Sequence, residues 1–244
     1  MARFDCVART ALQQSLSLRY VRPTTMFTLR GLRHDFFHTV QGRVENASPL
    51  LPWESTAVAT DAHSWTWSLA VAQQLWQSSS TRGTLRGVVQ TLFRMPSFTE
   101  NYYHHYGNAN LRPERTQQFS VGLSVESRPT SSTFVWQGSV DVYHNRVLDR
   151  ILGIPANQTV WRTTNLDRVH AVGVDLSGHI WAQCASRHTL ELSGNASFQR
   201  VTDESQRGAA TYGLQLPYIP EFTAHLAFVW SNPWCDFSLT SDFS

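Results

Sequence analysis

Lysine is absent from the 244 residues, and all 20 basic side chains are arginine. Charge of either sign is sparse, at 16% of the chain against roughly 25% in soluble domains. The arginines are dispersed rather than gathered in a stripe, and the formal net charge is only +2. Nucleic acid is therefore excluded as a partner class. Three cysteines, Cys6, Cys184 and Cys235, are odd in number and far apart, which indicates neither a disulfide framework nor a zinc module. No window approaches 18 apolar residues, which excludes a transmembrane helix. That absence leaves a membrane β-barrel open, because each of its strands needs only about 9–11 alternating residues. The opening MARFDCVARTALQQ lacks the apolar core and small-residue cleavage site of a signal peptide. Chemistry is missing too. No serine sits in a nucleophile elbow, and RGTLRG at 82–87 lacks the lysine of a phosphate-binding loop. We expect neither an enzyme nor a cofactor.

What the chain does have is aromatic residues, 12% with nine tryptophans, and a recurring period of two. In 187–199 the set Arg187, Thr189, Glu191, Ser193, Asn195, Ser197 and Gln199 alternates with Leu190, Leu192, Gly194, Ala196 and Phe198. Side chains alternate across a strand, so one face is polar and the other apolar. A helix would mix the two sets. The same alternation marks 118–126 and 134–142, with further strands expected at 11–20, 25–34, 65–76, 84–93, 171–180, 222–230 and 235–243. Weaker patterns lie near 36–44, 147–153 and 159–166. Turn-forming clusters separate them at 45–52, 126–132, 153–158 and 203–208. The expectation is an all-β chain of roughly a dozen strands, with no linker, repeat or convincing helix.

Alternation admits two architectures. In a soluble sandwich the apolar faces turn inward to a shared core. In an outer-membrane barrel they face lipid and the polar faces line a lumen. Trp65, Trp67, Phe134, Trp136 and Trp230 stand at strand ends, as in interfacial girdles, though aromatic β-propensity places such residues as well. Asp141, Asp175 and Glu191 fall on polar faces, where they would be solvated or paired with lumen arginines. Two histidine pairs invite a metal reading. His104 and His105 are adjacent, so a strand would point them to opposite faces, while His34 and His38 would share one. Neither has ligand spacing that distinguishes it from ordinary surface histidines.

One stretch is more specific. In 92–126, LFRMPSFTENYYHHYGNANLRPERTQQFSVGLSVE, the residues Phe93, Arg94, Pro96, Ser97, Phe98, Glu100, Tyr102 and Tyr103 are followed by Gly107, Asn108, Leu111, Pro113, Glu114, Thr116 and Gly122. Proline at 96 and 113 belongs at strand ends. Gly107 and Asn108 suit a tight turn that Asn108 or Asn110 could cap. Glu114, with Arg94, Arg112 and Arg115 near it, could pin the joint through ion pairs.

This pattern resembles the "FRxPSFxExYY…GNxxLxPExS" segment of TonB-dependent outer-membrane receptors, with Thr116 in place of the usual serine. SVDVYHNRVLDRI at 139–151, TTNLDRVHAVGVDLSG at 163–178 and LPYIPEFTAHLAF at 216–228 resemble later pieces of the same family in the same order. The resemblance covers about residues 60–244. It implies a transmembrane antiparallel β-barrel, here partial: residues 1–244 would form about half of a 22-stranded barrel, without the plug domain. The implied parent is a Gram-negative outer-membrane receptor that takes up a scarce nutrient of the ferric siderophore, haem or cobalamin class. Its implied partners are that nutrient, the outer-membrane lipid, and an inner-membrane TonB-type energising protein that acts through the plug. Such a fragment is expected not to fold or transport alone. The residues of the 92–126 pattern have an implied structural role and no catalytic, cofactor or metal role. A soluble or surface-exposed β-sandwich or adhesin is the alternative.

Overall fold

The computed structural model describes residues 7–40, 61–103, 106–127, 133–155, 161–185 and 187–244. Ten strands follow one another: β1 (Val7–Val21), β2 (Thr25–Val40), β3 (Ala62–Gln77), β4 (Thr81–Arg94), β5 (Glu114–Ser127), β6 (Phe134–Pro155), β7 (Trp161–Ala185), β8 (His188–Asp203), β9 (Phe222–Ser231) and β10 (Asp236–Phe243). Among the described residues a single short helix, α1 (Phe98–Tyr102), interrupts them between β4 and β5. Each strand pairs antiparallel with its neighbours in sequence, giving one ten-stranded sheet in the order β1 to β10. Among the described residues β1 and β10 are its two edges, so the sheet does not close. Among the described residues no second sheet covers it, as a sandwich would require.

Ten strands replace the expected dozen because three weak patterns are continuations. Residues 36–40 extend β2, 147–153 lie within β6, and 161–166 open β7. At 22 and 25 residues, β6 and β7 are about twice the length that crosses a bilayer. Their far ends leave the apolar environment, so the sequence loses its alternation there while the ladder continues.

The two ends of the sheet differ. Arg22–Thr24, Ser78–Ser80 and Asn232–Cys235 are tight turns at one end, whereas 95–113 and 204–221 are long connections at the other. Barrels of the outer membrane carry short turns on the periplasmic side and longer loops outside, which orients the chain. Trp67 and Trp76 on β3 mark the two borders of the apolar face, nine residues or about 30 Å apart at strand rise. A bulge between Gln74 and Trp76 re-aims the indole onto that face. There it covers Gly83, where a Cβ would stand 2.2 Å from the ring. Between the borders, Val121, Val140, Val142, Leu176 and Phe198 are all more than a third exposed.

Among the described residues the packed core lies near the outer end. Val147, Val169 and Val201, from adjacent strands, meet Leu216 of the 204–221 loop, with Leu166, Ala171 and Ile219 around them. The loop is held by backbone hydrogen bonds from Leu216 to Val201 (2.8 Å) and Gly213 to Asp203 (2.7 Å). The outer end of β4 also departs from the regular ladder. Its pairing with β3 ends at Gln90, and the Thr91 hydroxyl accepts the Trp67 N–H at 3.0 Å. Phe93 then stacks near His34 and Phe36, with ring centroids 5.7 and 5.9 Å away.

Candidate functional site

Residues 95–103 and 106–113 form a joint at the outer rim. Pro96 is fully buried where β4 ends and cannot extend the ladder, lacking an N–H. Ser97 then caps α1: its hydroxyl accepts the Glu100 N–H (3.2 Å), and Glu100 Oε2 accepts the Ser97 N–H (2.7 Å). This reciprocal box satisfies two donors that the first turn would leave open. The S-x-x-E spelling at 97–100 announces it in the sequence, although no helix was expected here.

Arg94 ties the joint to the wall. Its Nε and Nη2 donate to the two carboxylate oxygens of Glu114 at 2.9 and 3.0 Å, and its Nη1 reaches Glu100 at 3.0 Å. Planar two-point pairing of this kind is among the stronger charge-assisted contacts. Glu114 is buried and also accepts the Ile151 N–H at 2.6 Å. Of the arginines expected around Glu114, only Arg94 makes the close contact. Arg112 instead bridges Asp149 and Asp167, at 2.8 and 2.7 Å. Arg115 is a neighbour of Glu114 along the strand and so points to the other face. Burial pushes the Glu100 carboxyl up, but the hydrogen bonds from Arg94 and Ser97 outweigh it and hold it below the ordinary value.

The rest of the motif folds over α1. The Gly107 N–H bonds Tyr103 O at 2.7 Å, and a Cβ at Gly107 would lie 2.7 Å from the Tyr102 and Tyr103 nitrogens. Only glycine fits that approach. Asn108 supplies the cap expected of it: Oδ1 accepts the Asn110 N–H at 3.0 Å, and Nδ2 donates to Thr163 O at 3.2 Å. Leu111 is buried, and Pro113 leads into β5. Phe98 lies 4.9 Å beneath the Arg9 guanidinium and 6.1 Å from the Tyr102 ring. The joint thus reaches back to β1 while also gripping β7.

Thr163 and Asn165 were missed in the sequence. Thr163 is wholly buried, and its hydroxyl lies 2.9 Å from both Glu100 O and Tyr106 O. Asn165 accepts the Arg112 N–H and donates back to Arg112 O, both at 2.9 Å. Nothing local distinguishes these residues; apart from Asp149 O, which Asn165 reaches at 2.8 Å, the partners named are more than fifty positions away.

Gly122 is not part of the joint. It stands further down β5, between Arg86 and Asp141, on the polar face. Arg86 reaches both Asp141 oxygens across it, at 2.9 and 3.1 Å, where a Cβ would collide with Asp141 Oδ1. Asp175 accepts the Ser197 hydroxyl at 2.6 Å, and Glu191 lies 2.9 Å from His179. All three acids have partners on that face, but only Asp141 pairs with an arginine.

The histidine candidates divide. His104 and His105 lie outside the described residues. His34 contacts Thr66 at 3.1 Å and Gln13 at 3.3 Å, while His38 accepts from Arg9 at 2.9 Å. The rings therefore serve different contacts, four residues or about 13 Å apart along the strand.

Comparison with known proteins agrees with this geometry. The family described as "TonB dependent receptor-like, beta-barrel" matches residues 29–243, starting about thirty residues earlier than the motifs alone suggested. A solved structure titled "Copper transporter OprC" superposes with a TM-score of 0.62 at 15% identity, over 93% of this chain and 32% of that one. At that identity the likeness concerns the fold alone, and the chain spans about a third of the solved protein's length. A search of curated proteins found no match. With the family match extending over most of its length, this chain belongs to the TonB-dependent receptor-like β-barrels of the Gram-negative outer membrane.

Proposed function

We propose that the chain supplies wall and outer rim to a receptor that imports a large, scarce nutrient of the ferric siderophore, haem or cobalamin class. Residues 1–244 would be one partial barrel domain, roughly half of a barrel of about 22 strands. The plug, and through it the TonB-type energising protein, would come from elsewhere in the same receptor. The observation that carries the reading is the contrast between the faces. The apolar face is exposed to its surroundings, whereas the polar face bears Arg86, Asp141 and Asp175 and has loops folded over its outer end. Such a wall separates lipid from a watery passage and narrows its mouth.

Barrels of this family bind and transport, so the chain's work is non-covalent. Its fold relative is titled a copper transporter, which brings metal cargo into consideration. No group of three or more metal-binding side chains gathers among the described residues, so nothing favours that cargo over a larger ligand. The test is uptake by cells that carry the full-length receptor, supplied in turn with labelled ferric siderophores, haem, cobalamin and copper. Uptake of one ligand that stops when the energising protein is deleted supports the reading. Passive, unselective passage of small solutes that persists in that deletion would instead identify an open pore.

A further inference from the structure

Between β3 and β4 the wall parts. Their ladder runs outward as far as Ser68 opposite Gln90, so Trp67 and Thr91 are due to form the next pair. They do not pair through the backbone. The Thr91 hydroxyl takes the place of its carbonyl, accepting the Trp67 N–H at 3.0 Å and lying 3.5 Å from Trp67 O. A side chain stands where backbone belongs, and it holds the strands apart. Fraying at strand ends does not account for this. Outward of the split, β3 stays paired with β2 as far as Ala62, and β4 with β5 as far as Arg94. Backbone groups turn alternately to the two neighbours along a strand, so those of His63 and Trp65 point into the split, as those of Trp67 do. Among the described residues nothing pairs with them on that side.

Phe93 fills the opening. Its register with β5 puts it on the apolar face. Yet its ring meets those of His34 and Phe36, 5.7 and 5.9 Å away, which belong to the polar face. The ring therefore passes through the plane of the sheet where the strands have parted. On the outside the split begins at Trp67, the border of the apolar face, beside the exposed indoles of Trp65 and Trp67. The same two residues bound an apolar cleft of about 520 Å³ that runs inward over Gly31, with Leu16, Leu18 and Leu29 along it. A Cβ at Gly31 would meet nothing within 4 Å, so the floor of the cleft is open.

We infer that the split is a side entrance from the outer leaflet to the lumen, used by an amphiphile with an apolar chain and a compact polar head. The chain would lie in the cleft, which sets the head at the level of the split. The head would pass Phe93 and the free backbone of His63 and Trp65, and reach His34 and Gln13 on the polar face. Unpaired backbone at membrane depth is tolerated where it lines a watery opening, and a gate made by one ring yields without breaking a ladder. The inference rests on the import reading for the direction of traffic; it adds a class of cargo and a route.

The test reads the route alone. The full-length receptor, its native cysteines replaced by serine, is placed in phospholipid vesicles with a single thiol. That thiol is Ser64→Cys, beside the split on the polar face, or Ser177→Cys, on the polar face of β7. Each is labelled with N-dodecylmaleimide dissolved in the bilayer, and the rate is divided by that for N-ethylmaleimide, which arrives through water. The ratio at Ser64→Cys should exceed that at Ser177→Cys at least tenfold. Phe93→Ala should raise it severalfold further, whereas Phe119→Ala, on the apolar face of β5, should leave it unchanged. Equal ratios at the two thiols would overturn the inference, even if Phe93→Ala failed to fold. So would a ratio that Phe93→Ala leaves unaltered in a receptor shown to be folded by its heat-dependent gel mobility. Nutrient uptake plays no part in this readout, so failure of the import reading would leave the result standing.

Discussion

The middle of the sheet and its outer end obey opposite packing rules. Around Val140 and Leu176 the large apolar residues are exposed, at 44% and 38%, and nothing among the described residues covers them. Seven residues further out, and on the opposite face, Val169 is only 1% exposed, packed beneath the 204–221 loop. The side chains are alike; the solvent differs. Where lipid replaces water, an apolar face is already in a favourable medium, and backbone pairing alone must satisfy the polar groups. On the watery face apolar burial again requires protein, and at the outer end the loops provide it.

The most forceful way to break this contrast is to place a charge in each environment. Val140→Arg, near the middle of the apolar face, should cost about 2–4 kcal/mol, whereas Ser124→Arg on the opposite face should cost less than about 1 kcal/mol. Thermal unfolding of the full-length receptor in lipid, followed by heat-dependent gel mobility, would compare them. Equal costs would mean that the two faces do not meet different solvents.

Next comes the joint itself. Glu114→Gln removes the charge opposite Arg94 and weakens the acceptor for the Ile151 N–H. Because the Arg94 side chain is 45% exposed, the loss should fall below that of a wholly buried pair, on the order of 2–3 kcal/mol. The same measurement on Arg86→Gln should show under about 1 kcal/mol, since that pair is part-exposed at both ends. A smaller contrast tests the core: Val169→Ala should cost about 1–3 kcal/mol through the cavity it leaves, and Val142→Ala, facing lipid, noticeably less.

How far the sequence foretells these differences depends on the range of the interaction. Period-two alternation located every strand, because the pleat imposes it residue by residue. It failed at the outer ends of β2, β6 and β7, where the two faces no longer meet different solvents and the alternation has no cause. The joint was legible wherever its contacts are local: Gly107, Asn108 and the prolines do what turn chemistry demands. Arg112 went astray because sequence proximity to Glu114 was taken for contact, whereas its partners Asp149 and Asp167 arrive from another hairpin. Thr163 and Asn165 were invisible for the same reason.

The smallest expected effect probes the joint from the side of protonation. Glu100 sits outside the membrane wall, and its carboxylate is held below the usual value because hydrogen bonds from Arg94 and Ser97 outweigh its burial. A depressed folded value means that the unfolded chain binds the proton more readily, so the stabilisation is fully present above the unfolded value near 4.5. It is lost as the pH falls through the lower folded value. Amide exchange at Ser97, Glu100 and Asn101 should therefore remain protected at neutral pH and open progressively below about pH 4.5, after correction for intrinsic rates. Glu100→Gln should show weaker protection with no such fall, because the amide oxygen still accepts the Ser97 N–H but carries no charge to titrate. The Leu216 amide, bonded to Val201 O inside the valine cluster, gives the internal reference for the 204–221 loop. Ser205 and Thr211 are left out because they bond the Asp203 carboxylate. If both loops open together on acidification, the loss is global and Glu100 is not its cause. If α1 alone opens, the helix cap and the Arg94 clasp are separable from the hydrophobic closure beside them, and the outer rim contains two independently held loops.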